Sequence, residues 1–104
     1  MKAVTNRVVL LDPKVLLTSL HKLPLKIGNS PATLCDVFTA AGQLVVKTNT
    51  GDLRGPAEGE LWPPIAIRMR TLKLIARMYY KSTTPIEIEK TAKSLRVGTT
   101  VFPL

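Results

Sequence analysis

Fourteen residues, RMRTLKLIARMYYK at positions 68 to 81, hold five cations and no carboxylate. Arg70, Lys73, Arg77 and Lys81 follow one another at intervals of three, four and four residues. On a helix they stack into one positive ridge with Arg68 just ahead of it. A row of that kind can contact phosphates or carboxylates, and Lys90 and Lys93 further along can add to it. Like charges so spaced repel by roughly 0.2–0.5 kcal/mol per pair in an isolated helix, so the ridge does not stabilise the helix that carries it. The plainer alternative is a solvated face whose long stems cover nearby apolar surface.

The same helix predicts two apolar arcs. At about 100° per residue, Ile65, Met69, Leu72, Ile75, Ala76 and Tyr79 gather on one side as a core face. Ile67, Leu74 and Met78 form a second, narrower stripe beyond the ridge. In a small protein such a stripe is either sandwiched between core layers or reserved for another chain. The second case makes these three residues an interface and the protein a homo-oligomer.

No other constellation points to catalysis. His21 is the one histidine and Cys35 the one cysteine, so no zinc tetrad or disulfide can be assembled within the chain. A Cys-His dyad is less consistent with their setting than a small buried thiol and a surface imidazole. Glu58 and Glu60 fall in a polar loop, and Glu87 and Glu89 suit the first turn of a helix. NTGDLRGPAEG, residues 49 to 59, has glycines but neither the strand-to-helix context nor the lysine of a phosphate loop. The expectation is therefore a non-enzymatic protein with no cofactor, no metal and no small-molecule substrate.

The positioning elements follow from start and stop signals. Residues 4 to 11 predict a strand, and Asp12 with Pro13 predicts a helix to Lys22, its carboxylate accepting free backbone donors. LPLKI, 23 to 27, predicts a short strand. Ser30 and Pro31 repeat the start signal for a helix carrying Leu34, Phe38 and Ala41, stopped at Gly42. QLVVKT, 43 to 48, predicts a strand and NTGD a hairpin turn returning through Leu53 and Arg54, with residues 55 to 60 a polar loop. Residues 64 to 81 predict the basic helix, although 64 to 70 also alternate like a strand. Thr84 and Pro85 predict a last helix to about Arg96, and TTVFPL an extended tail.

These elements compose an α+β fold in a small single domain, residues 1 to 104. Three or four short strands, one hairpin among them, occupy the N-terminal two thirds, and the C-terminal third is mainly helical. Two helices around the turn STT have helix-turn-helix spacing, but only six residues follow Gly98, too few for a recognition helix. A degenerate version would present Lys90 and Lys93 from the last helix. Aromatic platforms for single strands are not evident, because the five aromatics are scattered and mostly suit the core.

A net charge of +8 at 104 residues attracts polyanions. No apolar run approaches the ~20 residues needed to span a bilayer, and VVLL is too short for a secretory signal, so an intracellular protein of cytoplasm or nucleus is expected. The leading expectation is a small basic protein binding RNA or DNA phosphates through Arg68, Arg70, Lys73, Arg77 and Lys81, helped by Lys90 and Lys93. The competing one is an oligomeric assembly or adaptor protein of viral or phage kind. Its apolar stripes would meet protein chains, and its basic face an acidic partner or an anionic membrane surface.

Overall fold

The computed structural model describes residues 6–23, 32–49, 51–59, 64–91 and 93–103. Within them the chain forms β1 (Asn6–Leu10), α1 (Pro13–Lys22), β2 (Leu34–Ala40), β3 (Gln43–Thr48) and β4 (Gly51–Gly59). It continues through β5 (Ile65–Arg68), α2 (Met69–Tyr79), β6 (Ile86–Lys90), β7 (Ser94–Val97) and β8 (Thr100–Pro103). The eight strands make one sheet in the order β5-β2-β3-β4-β1-β6-β7-β8. Every neighbouring pair is antiparallel, and the sheet curls into a half-barrel. β4 joins its two halves, with Gly51 to Pro56 on β3 and Ala57 to Gly59 on β1.

This architecture overturns the α+β expectation and its helical C-terminal third: the described residues hold two helices and eight strands. The reason is a period of two that outweighs a weaker helical stripe. In IEIEK the buried Ile86 and Ile88 alternate with Glu87 and Glu89, and in SLRV Leu95 and Val97 alternate with Ser94 and Arg96. Between these strands Thr91 closes a turn, its hydroxyl 2.8 Å from that of Ser94 and its backbone N–H donating to the Ser94 carbonyl. The helix expected after Pro31 is likewise strand β2, with Cys35 and Val37 inward. Gly42 does take positive φ, but with Ala41 also at φ 50 it makes a two-residue hairpin turn, not a helix stop. Residues 55 to 59, expected as loop, extend β4.

Other elements agree with the spacing. Helix α1 has its expected bounds, yet the Asp12 side chain makes no capping bond. β3 and the turn into β4 fall where QLVVKT and NTGD place them. β1 and β8 match the expected extended ends, and Pro24 to Ile27 of the expected strand 23–27 lie outside the described residues, as do Ser30 and Pro31. No helix among the described residues is long and apolar enough to cross a membrane.

Both helices cover the inner face of the sheet. Leu16, Leu17 and Leu20 of α1 and Met69, Leu72, Ile75 and Ala76 of α2 bury themselves against the inward rows Val8/Leu10, Val37, Leu44/Val46 and Ile86/Ile88. Each large aliphatic so buried contributes about 1.5–3 kcal/mol of transfer free energy. Gly55 is what lets α1 come so near β4: a Cβ there would stand 2.8 Å from the Cβ of Leu16. Residues at the two ends of α2 reach the C-terminal strands of the sheet. Its first turn, at Thr71, borders a recess with Pro103, and at its far end the Tyr79 hydroxyl donates to the Val97 carbonyl at 3.1 Å.

Candidate functional site

The basic segment splits at Arg68. Ile65 to Arg68 is a strand because β2 is available to pair with it, with Cys35 opposite Ile67 and Leu34 opposite Arg68. The helix starts at Met69, five residues later than the expected start at Pro64, and ends at Tyr79, two before the expected Lys81. This moves Ile67 out of the expected interface stripe. It points inward from β5, is 2 % exposed and belongs to the core. Leu74 and Met78 remain on the surface at 45 % and 48 % exposure.

The cations also divide. Arg70 and Arg77 are exposed on the outward side of α2, Arg68 is exposed at its start, and Lys81 is exposed just past its end. Arg68 and Arg70 flank Leu34, itself 62 % exposed, around a shallow recess. Lys73 does something else. It turns toward α1, where its ammonium donates to the carbonyl of His21 at 3.1 Å and to that of Leu23. Those carbonyls belong to the end of α1, which has no helical donor for them, so Lys73 acts as a tertiary cap. Burial there lowers its pKa.

Tyr80 lies on the same side of the chain as Lys73, seven residues on, and meets the same helix end. Its ring stacks on that of His21 with centroids 4.1 Å apart and planes at 10°. The ammonium of Lys81 stands 5.5 Å from the centre of the Tyr80 ring, a cation-π contact. Sequence spacing does not find this group, because the pairing of α1 with α2 is tertiary. A trace of it exists in the tandem Tyr79–Tyr80, since adjacent helical residues point about 100° apart and cannot both face one core.

Lys90 and Lys93 are not on a helix. Lys90 closes β6 and, by register, lies opposite Asn6 and Leu95, while Lys93 is exposed in the turn to β7. Glu87 and Glu89, expected as helix-capping carboxylates, project from the outer side of β6 between cations of both neighbouring strands. Arg7 of β1 reaches Glu89 at 3.2 Å and Glu87 at 3.6 Å, and Arg96 of β7 reaches Glu87 at 2.9 Å and Glu89 at 3.6 Å. The hydrogen bond from Arg96 to Glu87 holds that guanidinium still more firmly protonated than usual. Among the described residues, Arg68, Arg70, Arg77 and Lys81 make no ion pair of this kind.

Cys35 is buried on β2, where loss of water chiefly, and the charge of Asp36 next, push its thiol pKa up. No group of three or more His, Cys, Asp or Glu side chains among the described residues could hold a metal ion. Comparison with models of protein families, with curated proteins and with solved structures finds no match. Neither the expectation of nucleic-acid binding nor that of a viral or phage origin draws support from a relative.

Proposed function

We propose that this protein binds nucleic-acid phosphates through the outward surface of α2 and the residues at its two ends, with Arg68, Arg70, Arg77 and Lys81 as the contacting side chains. The observation that carries the reading is the separation of charge in the fold. Neither helix contains an Asp or Glu, and Lys14, Lys22, Arg70, Lys73 and Arg77 all lie within them. A surface of one sign, without internal neutralisation, raises the local concentration of polyanions and speeds their encounter. Lys73 contributes to the field but, bonded to carbonyls of α1, is not a phosphate ligand.

Four contacts give a definite salt dependence. The logarithm of affinity should fall with the logarithm of salt at a slope of about −3 for a single strand, near −0.7 per phosphate neutralised. Fluorescence anisotropy of a short labelled oligonucleotide across a salt series measures it, with Arg70→Gln, Arg77→Gln and Lys81→Gln combined as the test variant. That variant should lose about three quarters of the slope; an unchanged slope overturns the assignment.

Leu74 and Met78, exposed four residues apart between those cations, favour a second reading in which the same face docks on a protein chain. A second copy of this face would bring Arg70, Arg77 and Lys81 against their own kind, so an acidic partner suits it better. Size-exclusion chromatography with light scattering distinguishes the readings. A mass that rises with oligonucleotide supports phosphate binding, and a mass that rises only with an acidic polypeptide such as polyglutamate supports docking on protein.

A further inference from the structure

Phosphate contact leaves the one histidine of the chain without a role. His21, next to last in α1, has an exposed side chain, and its ring lies flat on that of Tyr80 at 4.1 Å. Both partners are held in place. The ammonium of Lys73 ties the carbonyls of His21 and Leu23 to the middle of α2. The backbone of Tyr80 continues the helix by donating to the Ala76 carbonyl at 2.8 Å, and the neighbouring Tyr79 is anchored to the β7–β8 turn through its hydroxyl. The imidazole is thus oriented in advance by the Tyr80 ring while its side chain stays exposed.

The surroundings define what that ring would accept. Lys22 adjoins His21, Arg77 precedes Tyr80 by three residues and so lies on the same flank of the helix, and Lys81 stands over the Tyr80 ring. An oriented planar ring bordered by cations and by no helical carboxylate matches an unpaired nucleobase with a phosphate on either side. Bases stack on His, Tyr and other flat side chains irrespective of sequence, but only when they are free of a duplex. A duplex can offer phosphates to Arg77 and Lys81, but inside its length no base to the ring.

Resting on the nucleic-acid reading above, we infer that His21, backed by Tyr80, is a stacking platform for one unpaired base, so that single-stranded nucleic acid is the ligand class. Two independent contributions follow. The phosphate contacts are weakened by salt, and the stack is not.

The test measures anisotropy of a labelled single strand and of the duplex of the same sequence with the wild type, His21→Ala and His21→Phe. The wild type should prefer the strand by about tenfold. His21→Ala should lose about that factor on the strand, leave the duplex affinity and the salt slope unchanged, and His21→Phe should restore strand binding because it keeps a flat ring on Tyr80. Duplex binding as tight as strand binding, or a strand affinity indifferent to His21→Ala, overturns the platform while phosphate binding stands. Absence of binding to either probe at low salt overturns both. Loss on strand and duplex alike, unrestored by Phe, would show that His21 supports the end of α1 and not a base.

Discussion

Two surfaces of this protein carry arginines and treat them oppositely. On the outer side of the sheet, Arg7 and Arg96 flank Glu87 and Glu89, and every one of these four charges has an opposite charge within 3.6 Å. On the outward side of α2, Arg70 and Arg77 have Leu74 and Met78 as helical neighbours, and no acidic residue lies in either helix. The difference is geometric before it is functional. A central strand with period two presents its carboxylates to both neighbours at once, so β6 neutralises a cation on each side. A helix on the surface depends on its own residues three and four positions away, and α2 supplies none of the right sign. A net charge of +8 therefore does not spread evenly; it concentrates where carboxylates are missing.

Giving α2 the charge pattern of β6 should produce the largest effect. Leu74→Glu with Met78→Glu places carboxylates three or four residues from Arg70, Arg77 and Lys81 at positions already exposed. Helix pairs of this kind add roughly 0.2–0.5 kcal/mol each, so the melting midpoint should hold or rise. Oligonucleotide affinity should fall by about 100-fold as the face loses its charge. Intact affinity in this variant would mean that the face is not the contact surface. Loss of polyglutamate binding in this variant with oligonucleotide binding retained would favour the protein-docking reading instead.

The converse change is smaller. Glu87→Gln with Glu89→Gln leaves Arg7 and Arg96 without carboxylate partners and makes the sheet resemble the helix. Partly exposed ion pairs are worth up to about 1 kcal/mol each, so stability should fall by about 1 kcal/mol in thermal unfolding. The salt slope for oligonucleotide should steepen by about one unit as two more cations become available. No change in slope would show that free arginines on a flat sheet are not enough.

The extent to which this was legible in the sequence differs between the two surfaces. Helix α1, strand β3 and the turn after it were readable because local signals alone specify them: Pro13 at a first turn, a β-branched run, Gly51 in a turn. The exposed cations Arg70, Arg77 and Lys81, and the exposure of Leu74 and Met78, follow from helical spacing once residues 69 to 79 coil. The strands β2, β6 and β7 were missed because each contains a helical stripe as well as an alternation, and what decides between them is pairing with a strand distant in sequence. Ile67 shows the cost most plainly, since a helix puts it on the outer stripe and pairing with Cys35 puts it in the core. The Arg7–Glu87/Glu89–Arg96 network and the His21–Tyr80 stack were unreadable for the same reason. Each joins residues that only the tertiary fold brings together.

Lys73 and Arg77 bring the comparison down to one helical turn, and they give the smallest and most discriminating prediction. Spacing treats them as equivalent members of one ridge, whereas the structure gives them different work. The ammonium of Lys73 donates to two carbonyls at the end of α1, and the guanidinium of Arg77 makes no ion pair among the described residues. Lys73→Met keeps the stem but strands those carbonyls, so it should destabilise the protein by about 1 kcal/mol in urea unfolding while leaving the salt slope unaltered. Arg77→Met should leave stability within about 0.5 kcal/mol, as for an ordinary surface change, and should flatten the slope by about 0.7. If the two variants behaved alike, the distinction between a cation that holds the fold and a cation that awaits a partner would fail at the point where it is drawn most finely.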